Sequence, residues 1–276
     1  MNILDTIVAQ KRLELARLPS RDVDAAELRG LMEKRPDRRD FVAALAAGAR
    51  TGIALIAEVK RASPSAGVIC PDFDPVRIAR QYETAGASAI SVLTDERFFQ
   101  GSLAYLREIR EAVRTPLLRK DFIIDARQIR EAIVWGADAI LLIVAILDGD
   151  RLRQYLELAT AAGLAALVEV HDEAELDTAL AAGATIVGVN NRNLKTFQVD
   201  LETTARLAGR LRQAPGGKEK MLVAESGIHT ASDVRRLVRN GAQAILVGES
   251  IVKHHDIAGK IRELLAFRVS ARESQP

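Results

Sequence analysis

The chain has 276 residues but only one cysteine, Cys70, and few aromatic side chains. One cysteine cannot form an intramolecular disulfide, so a disulfide-stapled scaffold is excluded and a reducing compartment is favoured. No apolar run approaches the roughly 20 residues that a membrane-spanning helix needs. The N-terminus lacks the basic head, apolar stretch and cleavage site of a secretory signal. We therefore predict a cytoplasmic protein without a membrane partner.

An excess of charge of one sign is also missing. The 39 Lys and Arg residues against 37 Asp and Glu leave a net charge of +2, without the basic stripe of a nucleic-acid-binding surface. Neither a Walker loop nor a dinucleotide fingerprint is present. The histidines lack metal-ligand spacing and are expected on the surface or in loops; they are His171, His229, His254 and His255. We predict no nucleic-acid partner, no metal and no cofactor.

One short phrase recurs along the chain. It begins with Gly-Ala and runs into an apolar segment, at residues 86–90, 136–140, 183–187 and 241–245. Each copy follows a helical pattern. Glycine supplies the left-handed residue that ends a helix, and the apolar residues behind it begin a strand buried on both faces. The phrase therefore predicts junctions from helix to strand.

Eight apolar runs have the length of a buried strand: Leu55–Val59, Ala89–Leu93, Pro116–Lys120, Ala139–Val144, Ala166–Val170, Ile186–Asn190, Leu222–Ser226 and Ala244–Gly248. Amphipathic helical patterns lie between and after them, at Val76–Ala85, Leu103–Val113, Ala126–Trp135, Asp150–Ala162, Glu173–Ala182, Leu201–Leu211, Ala231–Asn240 and Asp256–Phe267. Alternating units of this length predict an α/β fold, a (β/α)8 TIM barrel. An open doubly wound sheet is the alternative, but no glycine-rich fingerprint follows the first strand.

The residues before the first strand carry helical patterns of their own, at Ile3–Leu15, Ala25–Glu33 and Phe41–Ala47. We expect this extra N-terminal helical segment to cap the barrel. Residues 213–220, which include Pro215-Gly-Gly, predict a flexible loop. The organisation expected is one domain over 1–276, with the helical extension at 1–50, the barrel at 51–267 and a disordered tail at 268–276.

Polar residues stand at the C-terminal ends of five predicted strands, where a parallel barrel should still be apolar. They include Glu58, Lys60, Lys120, Glu169, Asn190, Arg192, Glu225 and Ser226. The βα loops of a barrel converge at this end and build its active site. One structural alternative is that each charge marks the point where a strand becomes solvated loop. Another is an ion-pair layer that plugs the mouth, but lysines among carboxylates are also able to exchange protons.

Small residues follow the last two predicted strands. Ser226-Gly227 and Gly248-Glu249-Ser250 expose backbone N–H groups, and a short helical pattern comes next. Such a pair of loops is where barrels bind phosphate. The alternative for each glycine is an ordinary turn. Hydroxyl groups of the first βα loop, which contains Ser63, could close over the same ligand.

Five stretches in order resemble the indole-3-glycerol phosphate synthase family, at residues 57–65, 91–102, 118–125, 188–194 and 224–228. The resemblance extends from about Phe41 to His254. It implies conversion of 1-(2-carboxyphenylamino)-1-deoxyribulose 5-phosphate into indole-3-glycerol phosphate, CO2 and water in tryptophan biosynthesis. It implies no metal or cofactor, and a monomer is expected.

The same resemblance implies residue roles. Lys120 is the acid that protonates the ketone oxygen, and Lys60 lies near the substrate carboxylate. Glu58 and Glu169 act as proton acceptors or electrostatic partners, in an order left open. Asn190 and Ser226 complete the catalytic set. The expected substrate-binding residues are Ser63, Pro64, Phe99, Phe122, Arg192, Leu194, Glu225, Gly227, Gly248, Glu249 and Ser250, with Glu249 presenting only its backbone N–H to the phosphate.

Two other functions stay open. A different phosphate-binding barrel, such as an isomerase or a sugar-phosphate epimerase, would need a cysteine or an aspartate pair at its strand ends. A barrel that only senses phosphate would keep the small residues near Gly248 and lose the acid–base set. The two lysines and two glutamates at the predicted mouth favour the synthase over both.

Overall fold

The barrel is closed. The computed structural model describes residues 3–193 and 196–266. Eight parallel strands form the closed sheet: β1 (Ala54–Val59), β2 (Ala89–Leu93), β3 (Leu117–Lys120), β4 (Ala139–Ile143), β5 (Ala165–Val170), β6 (Ile186–Asn190), β7 (Met221–Glu225) and β8 (Ala244–Val247). β1 pairs with β8 on one side and with β2 on the other, with Ile56 opposite Leu246 and Ala89. The predicted (β/α)8 barrel is confirmed, and the open sheet is excluded.

Helices surround the barrel and precede it. They are α1 (Ile3–Leu15), α2 (Ala25–Glu33), α3 (Phe41–Arg50), α4 (Pro75–Thr84), α5 (Glu96–Phe99), α6 (Leu103–Ala112), α7 (Ala126–Val134), α8 (Gly149–Ala162), α9 (Glu173–Ala181), α10 (Glu202–Gln213), α11 (Ala231–Arg239), α12 (Glu249–Val252) and α13 (Ile257–Leu265). Most begin after an aspartate whose carboxylate accepts a backbone N–H of the first turn, as Asp172 does at α9. The sequence therefore specifies where these helices start.

The recurring Gly-Ala phrase behaves as predicted. Its glycines have φ values of +98° at Gly86, +100° at Gly136, +95° at Gly183 and +101° at Gly241. An L side chain is strained in this region, so glycine ends the helix at low cost. The chain then turns directly into β2, β4, β6 or β8.

Two apolar layers hold the structure together. The larger layer fills the space between the strands and the surrounding helices. The smaller one fills the barrel, with inward-facing residues such as Ile56, Leu118 and Leu167. Phe41 and Leu45 of α3 pack into the same cluster and are almost fully buried. α3 also contacts β1, β2 and β8, so it closes the end of the barrel where the strands begin.

The predicted strands agree with the observed ones to within one residue at each end, and the predicted helices differ by only a few residues. The sequence did not reveal the short helix α5 or the two-strand hairpin that joins Ala62–Ser63 to Gly67–Val68. Residues 217–219 of the predicted flexible loop form a 3-10 turn. Phe267 and the predicted disordered tail at 268–276 lie outside the described residues. Within the described ranges, every helix is too short or too polar to cross a bilayer.

Candidate active site

A cavity opens at the C-terminal ends of the strands. It is lined by sixteen residues that the sequence predicted: Glu58, Lys60, Ser63, Pro64, Phe99, Lys120, Phe122, Glu169, Asn190, Arg192, Glu225, Ser226, Gly227, Gly248, Glu249 and Ser250. The remaining predicted residue, Leu194, lies outside the described part of the chain. Strands that are far apart in sequence bring their ends to one place because the sheet is closed.

Lys120 lies at the centre of a buried group of charges. Its Nζ donates to Glu169 Oε2 at 3.2 Å and lies 3.7 Å from Glu225 Oε2. Both carboxylate side chains are 3% exposed or less. β3, β5 and β7 supply these residues, so the group links alternate strands across the barrel. One ammonium group therefore lies close to two carboxyl groups inside the mouth.

The three members of this group have differently shifted pKa values. Burial opposes the charge of Lys120, but Glu169, Glu225 and Glu58 outweigh burial and raise its pKa well above the ordinary value. Burial likewise opposes the charge of Glu169, but Lys120 and His171 lower its pKa well below the ordinary value. Burial and the nearby Glu169 charge raise the pKa of Glu225 to about 8. At neutral pH the site holds an ammonium, an ionised carboxylate and a protonated carboxyl group.

Glycine makes room for Glu225. A Cβ at Gly188 would overlap Glu225 Oε1 and contact the Leu167 side chain at 3.1 Å. Oε1 is buried and has no hydrogen-bond partner among residues 3–193 and 196–266. Glycine at position 188 therefore lets the Glu225 carboxyl group lie against β6.

Glu58 and Lys60 form a second pair on the other side of the mouth. Lys60 Nζ lies 2.7 Å from Glu58 Oε1, and both side chains are largely buried. The predicted alternation along β1 is the reason that they share a face. A Cβ at Gly248 would lie 2.5 Å from Glu58 Oε1, so glycine at the end of β8 leaves space for this carboxylate.

Asn190 connects β6 to the acid–base group. Its Nδ2 donates to Glu169 Oε1 at 3.2 Å, and its Oδ1 accepts the backbone N–H of Arg192 at 3.0 Å. Arg192 in turn donates to the carbonyl of Phe197 at 3.2 Å. Asn190 therefore both orients Glu169 and fixes the start of the β6 loop.

The backbone directly after β7 has an unusual conformation. Ser226 and Gly227 have φ values of +65° and +76°. A non-glycine residue at positive φ is strained, and such strain is common at binding sites. Ser250 Oγ donates to the carbonyl of Ile228 at 2.8 Å, which ties the β7 loop to α12. The Glu249 carboxylate accepts from Lys253 at 2.7 Å, one turn along the chain.

The same cavity also has an apolar part. The rings of Phe99 and Phe122 lie with centroids 5.9 Å apart and planes at 35°. Pro64 of the β1 loop lines the same cavity. A cavity with both an apolar and a polar part suits an amphipathic ligand that carries an aromatic ring and an anionic group.

Helix α1 was missed as a part of the site. Ile3, Leu4 and Ile7 line the cavity, so the helix lies over the mouth. Lys11 holds it there: its Nζ lies 2.9 Å from Asp95 Oδ2 and 2.9 Å from Asp121 Oδ1. The available signal was helical spacing, because Lys11 falls on the same face as the apolar residues of α1.

His171 was expected on the surface or in a loop. It follows β5 in a turn, but its side chain is only 14% exposed and lies between Glu169 and Glu175. Strand alternation was the missed signal, because residues 169 and 171 share a face. Among the described residues, no group of three or more His, Cys, Asp or Glu side chains could hold a metal ion.

A model of the indole-3-glycerol phosphate synthase family matches residues 4–264. The chain belongs to this family. A relative named indole-3-glycerol phosphate synthase, from Roseiflexus sp. (strain RS-1), is 53% identical over 268 residues, covering 95% of this chain and 97% of its own. Another of the same name, from Desulfotalea psychrophila, is 50% identical over 264 residues, covering 95% of this chain and 98% of its own. The synthase match includes α1, beyond the stretches that carried the sequence resemblance.

Solved structures with the same barrel are more distant. A thiamine phosphate pyrophosphorylase from Pyrococcus furiosus has a TM-score of 0.58 at 18% identity and covers 78% of this chain and 95% of its own. A chain of the tryptophan synthase complex from Pyrococcus furiosus has a TM-score of 0.57 at 16% identity, with coverage of 78% and 98%. At these identities the similarity between this chain and the two solved structures concerns the fold alone.

Proposed function

We propose that the mouth of this barrel carries out the reaction of its family with Lys120 as the general acid. The family's enzymes are carboxy-lyases of tryptophan biosynthesis, and this chain shares that activity. The substrate is 1-(2-carboxyphenylamino)-1-deoxyribulose 5-phosphate, and the products are indole-3-glycerol phosphate, CO2 and water. The observation that carries the assignment of roles is the buried contact between Lys120 and two carboxylates.

Ring closure is the first step of the proposed mechanism. The ring carbon that bears the carboxylate attacks the ketone carbon, and the ketone oxygen takes a proton from Lys120. Because the pKa of Lys120 is raised, this side chain carries its proton throughout the physiological pH range. Its buried position strengthens the interaction with the developing oxyanion. The new carbon–carbon bond leaves a cationic ring.

Decarboxylation and dehydration complete the reaction. Loss of CO2 returns the bonding electrons to the ring. A proton acceptor then removes a proton from the new five-membered ring, and the hydroxyl group takes a proton from Lys60 and leaves as water. We assign the acceptor role to Glu169, because it is ionised, buried and held by Lys120 and Asn190. We assign Lys60, which is paired with Glu58, to binding of the substrate carboxylate and to protonation of the departing hydroxyl group.

The remaining residues hold the two ends of the substrate. The backbone of Gly227, Gly248 and Glu249, with Ser63 and Ser250, supplies donors for the phosphate. Phe99, Phe122 and Pro64 pack against the aromatic ring. Arg192, Glu225 and Ser226 complete the mouth between these ends. We place the reaction in the cytoplasm, since the single cysteine fits a reducing compartment. We further propose that the enzyme is a monomer.

The test is a fluorescence assay for formation of the indole product from the purified chain and this substrate. EDTA is present and no cofactor is added. We expect turnover that EDTA does not reduce. Binding of the substrate by folded protein without turnover would contradict the synthase assignment and favour a barrel that only binds phosphate. Turnover that EDTA abolishes would contradict the metal-free mechanism.

A further inference from the structure

His171 is a buried titratable residue that the mechanism above does not use. It immediately follows β5, whose Glu169 is the assigned proton acceptor, and strand alternation places both side chains on one face. The imidazole does not line the cavity described above. It approaches Glu169 from outside that cavity.

Glu175 contacts the imidazole from the other side. Its Oε2 lies 2.9 Å from His171 Nδ1 and also accepts the backbone N–H of His171 at 2.8 Å. Glu175 is in the first turn of α9, which is capped by Asp172. The carboxylate is thus fixed by a helix start on one side and a strand end on the other. His171 has little freedom to rotate.

The second ring nitrogen faces the active site. His171 Nε2 lies 3.4 Å from Glu169 Oε1, the oxygen that also accepts from Asn190 at 3.2 Å. The other oxygen, Oε2, accepts from Lys120. Glu169 therefore has a partner on each oxygen, and the three partners come from three different positions around the mouth. A carboxylate held this way cannot turn without losing a contact.

We propose that His171 and Glu175 form a positioning pair that holds the Glu169 carboxylate towards Lys120 and the substrate. The inference rests on the proposed role of Glu169 as proton acceptor. His171 acts through Glu169 and does not contact the substrate. Glu175 acts through His171, by fixing the ring and by accepting its Nδ1–H.

The charges around His171 favour its protonated form. Glu169 on β5 and Glu175 on α9 face it directly, and Lys120 on β3 and Glu225 on β7 lie beyond Glu169. Burial lowers the pKa of His171, but hydrogen bonding and attraction to the two facing glutamates outweigh burial and raise it to about 10. An imidazolium carries an N–H on both nitrogens, and a carboxylate lies near each: Glu175 is within hydrogen-bond distance of Nδ1, and Glu169 is within ion-pair distance of Nε2. Its charge in turn supports ionised Glu169.

The kinetic test compares His171→Leu, His171→Gln and Glu175→Gln with Glu173→Gln. Glu173 lies on the same helix, is exposed and approaches Arg206 only at 3.9 Å. Because misplacing a reacting group by about 1 Å can cost on the order of a hundredfold in rate, we expect His171→Leu to lower kcat by about ten- to a hundredfold. KM should change little, His171→Gln should recover part of the loss, and Glu173→Gln should match the wild type.

The pH profile separates positioning from packing. Glu169 must be ionised to accept a proton, and loss of the neighbouring cation raises its pKa. The acidic limb of kcat should therefore move to higher pH in His171→Leu and Glu175→Gln. Normal kcat with an unmoved limb in folded His171→Leu would overturn the proposal. So would a fall in kcat that leaves the limb in place, because it would assign His171 a packing role only.

A measurement without substrate distinguishes this inference from the proposed function. In 15N-histidine NMR spectra, the signal lost in His171→Gln identifies the residue among four histidines. We expect both nitrogens to remain protonated at pH 8, and the pKa to fall in Glu169→Gln and in Glu175→Gln. Titration near the ordinary value of about 6.5 would overturn the pair. Expected NMR behaviour in a protein without synthase turnover would refute the function and leave the pair intact.

Discussion

Lys11→Met should release helix α1 from the mouth of the barrel. The change keeps the aliphatic length of the side chain and removes its charge. Lys11 is 3% exposed, and its partners Asp95 and Asp121 are 0% and 2% exposed. Asp121 keeps Arg119 at 3.0 Å and Thr94 at 2.5 Å in the variant. Asp95 keeps a hydrogen bond from the backbone of the helix it caps, but it loses this cation.

The expected loss of stability in Lys11→Met follows from the burial of these three side chains. Removing one partner of a buried ion pair costs about 3–5 kcal/mol, because the other charge stays buried. Since Asp121 retains its arginine, we take the lower end, about 3 kcal/mol. If the barrel unfolds in one step, at about 2 °C per kcal/mol the Tm falls by about 6 °C. If α1 detaches first, the same energy raises its detached population on the order of a hundredfold.

Differential scanning fluorimetry and limited trypsin digestion measure both possibilities. Arg12→Met is the matched control, because Arg12 is the next residue of the same helix and is exposed. We expect Lys11→Met to have a lower Tm or faster cleavage at the exposed Arg17 and Arg21 than this control. Equal Tm and equal cleavage in the two variants would refute the reasoning that Lys11 anchors α1.

The pH dependence of this difference has a defined sign. Burial opposes the charge of Asp121, but Arg119 and Lys11 outweigh it and lower its pKa, so its contribution is present above about pH 4 and is lost as pH falls below this. Burial also opposes the charge of Lys11, but Asp121 and Asp95 raise its pKa, so its contribution is full below about pH 10 and is lost at higher pH. The difference from the control should therefore be constant between pH 5 and pH 9.

Two further substitutions test the site itself. Lys120→Met removes the proposed general acid and should lower kcat by about a hundredfold or more, with the far-UV circular dichroism of a folded barrel; near-normal turnover would move the acid role to another residue. Gly248→Asp places a negative charge beside the proposed phosphate site and should raise KM strongly. Gly248→Ala is its control, because a Cβ at 248 already lies 2.5 Å from Glu58 Oε1. Equal KM values in the two Gly248 variants would argue against phosphate binding there.

Much of the fold was predictable because parallel strands buried on both faces read as apolar runs. The four Gly-Ala phrases marked the helix-to-strand junctions because positive φ restricts the residue type. That the polar residues at the strand ends would line one cavity was predictable too. Charged residues such as Glu58 and Lys120 interrupt these runs at one end only, and a barrel brings those ends together.

Long-range partners were not predictable. Lys11 lies in α1 and its partners follow β2 and β3, so the sequence shows only a lysine in an amphipathic helix. In the sequence, Glu175 is one charged residue of the predicted helix Glu173–Ala182, and its contact with His171 depends on how α9 turns back onto β5. The protonation of Glu225 was hidden for a related reason, because a pKa depends on burial and on charges from other strands.

The sequence by itself determined the barrel, its helix starts and the end of the barrel that holds the site, because apolar periodicity, capping residues and glycines act over a few neighbouring residues. Tertiary structure alone decided which of these charges face one another. Closure of the sheet brings Lys120, Glu169 and Glu225 together inside the mouth and makes one carboxyl group ionised and another protonated. Coulomb energies and desolvation depend on distances through space, and the order of residues along the chain does not contain those distances.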